Sequence, residues 1–532
     1  MVVRYCRYIG PPGTGKTAHL QRQVEVDVDR YGPDRVLVCS HTRAAAREIA
    51  SRLKGVIPDG NVGTMHSIAY RSLGEYYPLA QDGDLLKQFA ATHPQWRVSQ
   101  NQDWDGGLGA IGVDGGTHLE AYSLYRSVMA PRELWVPEVL GFAEDWERFK
   151  SDTGAIDFCD MLELALTQQR AHPRIPQVIV CDELQDLSRL QYKLLMHWGR
   201  YTRRVVAAGD QDQTIYGFAG ADPKIWDEHA DDEIILTKSW RVPSAIHSAA
   251  MRWVSQITSR RKVEYSPRDA VGTVEYSPVT HEDITPLMDD IVTEMRNGRT
   301  VMIMASCQYM LTHTLETLRD YGIPYANPWR RDPVWNPLGC ESETSELVKA
   351  VNAFLKPQHD AHNECRGLWS HDQLSLWSSV LARVFRRGAK AWLSQNAGAS
   401  PFDLFLWLAD AMSHNDFRAA TSLDARLALN WFCENVATRY TAKAEYLKRI
   451  VDRFGVEALQ TKPTVFCGTI HSFKGAEADV VVLFPDLSMA AWNELLTPRR
   501  DAIVRLFYVG MTRAKERLVL CAPQHWCAVV WP

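Results

Sequence analysis

Short runs of β-branched and other apolar residues alternate with helical stretches in two separate regions of the chain. Because continuous apolar strands separated by helices are typical of parallel sheets covered on both faces, the pattern predicts two such sheets, and therefore an α/β fold. We place the linker between them near Asp231–Thr237. The strands are predicted at Val2–Ile9, Val36–Cys39, Val178–Cys181 and Val205–Ala208, and at Val301–Ala305, Val465–Cys467, Val480–Phe484 and Leu518–Cys521.

Two mainly helical insertions interrupt these strands. One covers roughly Gly74–Phe149, and the other covers roughly Lys356–Thr461, with helical patterning in Leu381–Leu393 and Asp424–Phe454. A chain of 532 residues is too long for one core, so about three or four domains are expected.

Composition narrows the class of protein. With 46% apolar and 23% charged residues the chain has the balance of a soluble globular protein, and its net charge of −5 means that any nucleic-acid contact must come from a local groove. The 11 cysteines form no C-x-x-C pair, which indicates reduced thiols. No apolar run approaches the ~18 residues of a membrane span, and little chain precedes the first motif to serve as a signal peptide. We therefore expect a cytoplasmic protein with no membrane contact.

The first predicted strand runs into a glycine-rich loop that opens a helix, the context that a phosphate-binding loop requires. The glycines let backbone N–H groups close around phosphates, Lys16 would reach the β- and γ-phosphates, and the Thr17 hydroxyl would bind Mg²⁺. The predicted cradle consists of Gly10, Pro11, Pro12, Gly13, Thr14, Gly15, Lys16 and Thr17.

A second apolar strand, Val178–Cys181, ends in two carboxylates, Asp182 and Glu183. We expect Asp182 to hold Mg²⁺ and Glu183 to polarise the attacking water. Acid pairs at strand ends are common, but downstream of a phosphate-binding loop this pair indicates hydrolysis of a nucleoside triphosphate.

At this point the chain resembles the superfamily 1A DNA helicases of the UvrD/Rep/PcrA group. Six motifs of that family recur in order across nearly the whole sequence, at Gly10–Thr17, Asp182–Asp186, Ala208–Ala221, Lys238–Arg241, Thr469–Glu477 and Phe507–Lys515. The resemblance implies two RecA-like P-loop NTPase domains, each with a helical insertion. The predicted ranges are 1–73 with 150–232 for the first domain, 74–149 for its insertion, 233–355 with 462–532 for the second domain, and 356–461 for its insertion.

The resemblance also implies roles around ATP. Arg241 and Arg513 match the family's arginine fingers, which stabilise the charge that develops at the γ-phosphate and are typically worth about 10³–10⁵ in rate. Gln213 matches the phosphate sensor, and Glu477 the residue that hydrogen-bonds the ribose. Trp240 and Gly475 complete the predicted nucleotide site, with Trp240 standing where a tyrosine stacks on the base.

For DNA, the family implies contacts to the sugar-phosphate backbone and one aromatic side chain that stacks on bases. Phe218 occupies the place of that aromatic, although the alternative, an ordinary core phenylalanine, stays open. The predicted DNA contacts are Ser40, His41, Thr42, Thr64, His66, Phe218 and His471.

The chain departs from the family pattern at several points. Since nine residues precede Gly10, we expect the family's upstream helix with the adenine-reading glutamine to be missing, and Ala18 replaces an arginine that packs on adenine. These departures leave the strictness for ATP over other triphosphates open. Ala219 replaces an arginine that follows the stacking aromatic, which weakens one link between the ATP and DNA sites.

A separate group of histidines and one cysteine has spacings that could suit zinc, or it could be a solvated loop. Its members are His359, His362, Cys365 and His371.

The leading prediction is an ATP- and Mg²⁺-dependent helicase that moves along single-stranded DNA, binds junctions of single and double strands and unwinds duplex, in the 3′-to-5′ direction that the family implies. Two alternatives remain: a translocase that displaces proteins but unwinds weakly, and a nucleotide-gated DNA-binding protein with little turnover. An RNA strand is also compatible with such contacts. The sequence leaves the pathway, the protein partners and the oligomeric state open, with a monomer plausible.

Overall fold

The computed structural model describes residues 3–40, 43–74, 76–98, 117–257, 260–330, 332–339, 345–356, 368–459, 461–497 and 499–531, with side chains except at 43–45, 47 and 48. The chain divides into two compact units. The first comprises Met1–Ser277, Ala305–Gln308 and Thr469–Pro532, and the second comprises Pro278–Met304 and Tyr309–Gly468. The four-segment domain organisation derived from the sequence remains a prediction.

A six-stranded parallel sheet lies in the first unit, in the order β3-β2-β4-β5-β1-β6. The α/β prediction is thereby confirmed. The segment predicted as a linker contributes the edge strand β6, which pairs with β1 from Cys6↔Asp232 to Ile9↔Ile235. The strands are β1 (Arg4–Ile9), β2 (Val36–Ser40), β3 (Val62–Thr64), β4 (Val178–Asp182), β5 (Arg204–Gly209) and β6 (Asp232–Ile235).

Alternate residues of these strands enter two different apolar clusters, one on each face of the sheet. Leu37 and Ile179 belong to one cluster, and Val38 and Val180 belong to the other. All five residues of β4 are buried. Burial on both faces explains why the strands read as unbroken apolar runs in the sequence.

The other six strands belong to a second parallel sheet. In the first unit they follow the order β7-β12-β11, and in the second unit the order is β8-β10-β9. The strands are β7 (Thr273–Ser277), β8 (Val301–Ala305), β9 (Tyr325–Ala326), β10 (Val465–Thr469), β11 (Ala478–Leu483) and β12 (Ala514–Cys521).

Helices surround the strands in both units. In the first unit they are α1 (Lys16–Tyr31), α2 (Arg43–Arg52), α3 (Met65–Ser72), α4 (Gly83–Thr92), α5 (His118–Ser127), α6 (Pro137–Thr153), α7 (Phe158–Gln168), α8 (Arg189–Gly199), α9 (Ser244–Val254), α19 (Met489–Leu495) and α20 (Arg500–Met511). In the second they are α10 (Met288–Arg296), α11 (Thr312–Asp320), α12 (Glu346–Leu355), α13 (His371–Ser379), α14 (Ala389–Gln395), α15 (Pro401–Ala411), α16 (His414–Ala420), α17 (Ala425–Glu434) and α18 (Thr441–Phe454).

One helical prediction in the second unit is wrong. The segment from Leu381 to Gly388 is irregular, and α14 begins only at Ala389. Arg383 and Gly388 adopt left-handed backbone angles, with φ of 61° and 91°, which interrupt any right-handed helix there. The apolar spacing of the segment reflects its contacts with neighbouring helices and not a helix of its own.

A largely buried group of charges joins α5 and α6 to α7. Lys150 Nζ lies 2.6 Å from carboxylate oxygens of both Asp157 and Asp160, and Arg126 contacts Asp157, Asp160 and Glu163. Because removing one member would leave another charge buried without its partner, these ion pairs hold α5 and α6 against α7.

Nine cysteines in the described part of the chain are free thiols, and all of them are buried. Five lie on strands, namely Cys6, Cys39, Cys181, Cys467 and Cys521. Among the described helices, none combines the length and the apolar character needed to cross a membrane.

Candidate nucleotide site

The loop between β1 and α1 contains the residues that the sequence predicts to surround phosphates. Gly13 and Gly15 adopt positive φ angles of 73° and 80°, which favour glycine. The Lys16 ammonium is buried and donates a hydrogen bond to the Gly10 carbonyl oxygen at 2.6 Å. The Lys16 ammonium thus lies over the loop, where a bound phosphate could replace the Gly10 carbonyl as its hydrogen-bond acceptor.

Steric contacts also require a glycine at position 10. A Cβ atom at this position would lie 2.5 Å from Thr14 Oγ1 and 2.6 Å from Lys16 Cγ. The Thr14 hydroxyl donates to the Pro11 carbonyl at 2.9 Å, which closes the turn. Any larger residue at Gly10 would push the lysine out of the loop.

Thr17 and Asp182 meet at the start of α1 and the end of β4. The Thr17 hydroxyl donates to Asp182 Oδ2 at 2.8 Å. Burial, and next the neighbouring Glu183 carboxylate, raise the pKa of Asp182 to about 7. A hydroxyl and a carboxylate oxygen are ligands that Mg²⁺ prefers, and a bound cation would favour the ionised form of Asp182. The two side chains therefore fit the metal that the sequence predicts.

Glu183 follows Asp182 in a left-handed backbone conformation, with φ of 55°. For a residue other than glycine this conformation costs about 1–3 kcal/mol, and it turns the side chain away from the strand. The Gln185 amide donates to its carboxylate. Although burial acts to raise the pKa of Glu183, the ammonium groups of Lys474 and Lys16 outweigh it and hold this pKa below its usual value. The ionised form, which can accept a proton from water, is thereby favoured.

Gln213 and Arg513 are in direct contact although they lie 300 residues apart in the sequence. Arg513 Nη2 donates to Gln213 Oε1 at 3.0 Å, and the Gln213 amide donates to Asp210 Oδ2 at 2.7 Å. Arg513 is almost completely buried, and burial together with the charge of Arg241 lowers its pKa to about 9. The guanidinium is therefore still protonated at neutral pH.

Arg241 lies beside the phosphate loop and pairs with Glu477. Its Nε donates to Glu477 Oε2 at 2.6 Å, and a Cβ atom on Gly13 would lie 2.6 Å from Arg241 Cβ. Burial acts to raise the pKa of Glu477, but the Arg241 charge outweighs it and lowers this pKa. The structure thus brings the two predicted arginine fingers and the predicted ribose contact to one side of the loop, where Gly475 also adopts a left-handed φ of 89°.

Trp240 is highly exposed for a tryptophan, with 75% of its surface accessible. A Cβ atom on Gly15 would lie 3.8 Å from its Cδ1, so the indole borders the phosphate loop. An exposed aromatic ring at this position is a suitable platform for a nucleobase.

Sequence reasoning assigned no role to Lys474. Its ammonium lies 2.6 Å from both carboxylate oxygens of Asp186 and 2.6 Å from the Gln213 carbonyl oxygen. It therefore ties the segment after the acidic strand to the sensor loop. Lys474 and Asp186 each lie inside one of the six family motifs, and that position was the signal that the sequence offered for their importance.

The residues predicted to contact DNA lie in several environments of the first unit. Thr64 caps α3 by accepting a hydrogen bond from the Ser67 N–H at 3.2 Å, and His66 is half-buried on the same helix. Ser40 is buried at the end of β2. His41 and Thr42 lie outside the described residues. All of these contacts stay predictions.

Phe218 and His471 pack against each other, with ring centroids 5.3 Å apart in an edge-to-face arrangement. Phe218 is half-buried, whereas His471 is only 1% exposed. Burial lowers the pKa of His471 to about 4, so its ring is neutral near pH 7. Of the two, Phe218 has the exposed surface that stacking on a base requires, and the buried His471 ring packs against it.

The histidine and cysteine group has no structural test. His359, His362 and Cys365 lie outside the described residues, and the His371 ring is 2.8 Å from the Leu393 carbonyl oxygen. Across the described part of the chain, no group of three or more histidine, cysteine, aspartate or glutamate side chains could hold a metal ion.

Two family models match separate ranges of this chain. Residues 3–219 match the family described as AAA domain, and residues 464–521 match the UvrD-like helicase C-terminal domain. The ATP-dependent DNA helicase YjcD of Bacillus subtilis is 24% identical over 319 residues, which are 54% of this chain and 41% of that protein. A DNA helicase II homologue of Mycoplasma pneumoniae is 26% identical over 585 residues, covering 96% of this chain and 80% of its own length. DNA helicase II of Escherichia coli is 26% identical over 280 residues, 45% of this chain and 36% of that protein. The matches thus span less than half of two of these relatives and most of the third.

Proposed function

Because the chain belongs to the UvrD/Rep/PcrA-type helicases, we propose that it is a DNA-stimulated ATPase that uses ATP hydrolysis to move along single-stranded DNA and to unwind duplex. The observation that carries this proposal is the hydrogen bond between Gln213 and Arg513, 3.0 Å long. It joins the predicted sensor, which follows β5, to the predicted arginine finger, which follows α20. Loss of the γ-phosphate would therefore change the surroundings of both side chains.

The phosphate end of the site supplies the binding chemistry. Lys16 would exchange its hydrogen bond with the Gly10 carbonyl for one with a phosphate oxygen, and the loop N–H groups would bind the others. Thr17 and Asp182 would hold Mg²⁺, which neutralises phosphate charge when bound. The base would stack on Trp240.

Hydrolysis requires a proton acceptor and positive charge. Glu183, whose pKa is held low, accepts the proton of the attacking water. Arg513 and Arg241 stabilise the charge that shifts toward the leaving oxygen, an effect of about 10³–10⁵ in rate for such arginines. Loss of the γ-phosphate would release Gln213, which lies five residues before Phe218 on the same loop. Since base–aromatic stacking is worth about 1–3 kcal/mol and tolerates any sequence, Phe218 is suited to grip successive bases.

The remaining parts of the proposal concern setting and substrate. We propose single-stranded DNA and junctions of single and double strands as substrates, movement in the 3′-to-5′ direction and a cytoplasmic location. The DNA substrate is supported by the names of the relatives, the junctions and the direction of movement by the sequence resemblance, and the cytoplasmic location by cysteine usage typical of reduced thiols.

The test is the rate of ATP hydrolysis with and without single-stranded DNA, and separately with RNA of the same sequence. Lys16→Ala should abolish stimulated turnover, because the β- and γ-phosphates lose their charge partner. Glu183→Gln should still bind ATP and DNA but turn over slower by orders of magnitude, since an amide cannot accept the proton.

Lys193→Ala, at an exposed position of α8, is the matched control and should behave as the wild type. Unchanged stimulated turnover in Lys16→Ala would exclude the phosphate-loop assignment. Nucleotide binding without any turnover in the wild-type chain would favour the DNA-binding alternative. Stronger stimulation by RNA would reassign the strand.

A further inference from the structure

The carbonyl oxygen of Pro12, in the middle of the phosphate loop, accepts two hydrogen bonds from hydroxyl groups. Tyr265 Oη donates to it at 2.9 Å, and Ser239 Oγ donates to it at 3.0 Å. Both side chains are buried, and Pro12 is buried as well. A buried carbonyl with two donors resists movement, because breaking free would leave polar groups unpaired.

Ser239 is itself held in place. Its hydroxyl oxygen accepts hydrogen bonds from the Arg241 N–H at 3.3 Å and the Val242 N–H at 3.0 Å. In addition, the Trp240 N–H donates to the Gly13 carbonyl at 2.8 Å. Two hydrogen bonds, from Ser239 to Pro12 and from Trp240 to Gly13, thus join the segment that carries Trp240 and Arg241 to the phosphate loop.

Tyr265 is anchored from outside the loop. Its ring packs against the His247 ring, with centroids 4.7 Å apart, and its carbonyl oxygen lies 3.1 Å from His247 Nε2. The next residue, Ser266, exchanges backbone hydrogen bonds with the strand-like segment before Trp240, at 2.8 Å to Thr237 and 2.9 Å from Ser239. The ring and backbone of Tyr265 are thus held from outside the loop, while its hydroxyl donates to the loop.

The consequence concerns the exposed indole. Trp240 keeps 75% of its surface accessible, so most of its side chain is not covered by protein. Its position relative to the phosphate cradle depends on its backbone, which the contacts to Pro12 and Gly13 fix. A ligand that binds both the indole and the cradle gains affinity when the two are already correctly spaced, since less ordering is needed on binding.

We propose that Tyr265 is a positioning residue of the nucleotide site, which acts through the Pro12 carbonyl to hold the phosphate loop and the Trp240 platform together. The inference rests on the proposed function, in that a nucleotide is the ligand. Tyr265 lies outside the six family motifs of the sequence, and its hydroxyl donates its hydrogen bond to the loop backbone.

Equilibrium binding of ADP to the full chain tests this, because it involves neither hydrolysis nor DNA. Tyr265→Phe removes one of the two donors and should weaken ADP binding by roughly two- to tenfold, the effect of one modest hydrogen bond. Tyr446→Phe is the matched control: its hydroxyl is also buried and donates to a backbone carbonyl, that of Ile323, at 2.8 Å in the second unit. It should lose similar stability and bind ADP as the wild type does.

The double variant Tyr265→Phe with Ser239→Ala sharpens the test. It leaves the buried Pro12 carbonyl with neither donor, so its loss of affinity should exceed the product of the two single losses. Wild-type ADP affinity in Tyr265→Phe and in the double variant, with melting curves that show folded protein, would overturn the proposal. A wild-type chain that binds no ADP would contradict the proposed function as well, whereas ADP binding without DNA-stimulated turnover would count against the motor alone.

Discussion

The substitution Lys474→Met tests how much the stability of the protein depends on one buried cation, which contacts both Asp186 and Gln213. In the wild type the Lys474 ammonium is 6% exposed and the Asp186 side chain is 1% exposed, with 2.6 Å between ammonium and carboxylate. Removing one partner of a buried ion pair leaves the other charge uncompensated and typically costs about 3–5 kcal/mol. We expect a loss of that size in the free energy of unfolding.

The pH dependence of this loss follows from Asp186. Burial raises the pKa of Asp186 to about 7 even though Lys474 acts to lower it, whereas the unfolded chain has a value of about 3.9. A carboxyl whose pKa is raised by folding contributes stability that is present below its unfolded pKa and is lost as pH rises through its folded pKa. Without Lys474 the folded pKa is higher still. The variant should therefore lose more stability than the wild type between about pH 7 and pH 9.

Urea unfolding followed by tryptophan fluorescence, at several pH values, measures both effects. Lys474→Met combined with Asp186→Asn is the matched control, because it removes both charges and should recover part of the stability. Stability within about 1 kcal/mol of wild type in the single variant, at all pH values, would refute the reasoning, since that is the range of an exposed ion pair.

Three further predictions concern single side chains. Phe218→Ala should keep basal ATP hydrolysis and the melting temperature near wild type while strand displacement falls sharply; a melting temperature that falls with every activity would assign Phe218 to the core. Trp240→Ala should weaken ADP binding by about two- to tenfold and leave binding of inorganic tripolyphosphate unchanged, whereas an equal loss for both would exclude stacking on the base. His172, whose pKa burial lowers to about 4, should destabilise the fold by up to about 3 kcal/mol as pH falls from about 6.5 to 4, and His172→Asn should remove that part of the acid sensitivity in urea titrations.

The sequence predicted the central strands well because their signal is local. In a doubly covered sheet every residue of a strand is buried, so β4 reads as an unbroken apolar run ending in two acids. Edge strand β6 carried no such signal: its residues are mostly exposed, and it forms because β1 offers it a pairing edge. Pairing partners far apart in the chain leave no periodicity to detect.

The same limit applies to the site. The phosphate loop is a contiguous stretch whose glycines each have a backbone or steric reason, so spacing alone indicates its chemistry. The contacts of Tyr265 and Lys474 depend on which distant segments meet, and each involves an ordinary residue type. A tyrosine between a helix and a strand is usually core, and a motif lysine is usually solvated, so neither could be assigned its partner before the fold was known.

The buried thiols give the fold a set of internal reporters. Cys39 and Cys181 lie on neighbouring strands of the first sheet, Cys467 and Cys521 lie on strands of the second, and all four are at most 1% exposed. A thiol reagent can reach them only when the surrounding strand opens, so the labelling rate of each cysteine measures the free energy of opening at its own strand. Mass spectrometry of the labelled peptides, with and without nucleotide, would then show in which sheet nucleotide binding slows the labelling and so raises the free energy of opening.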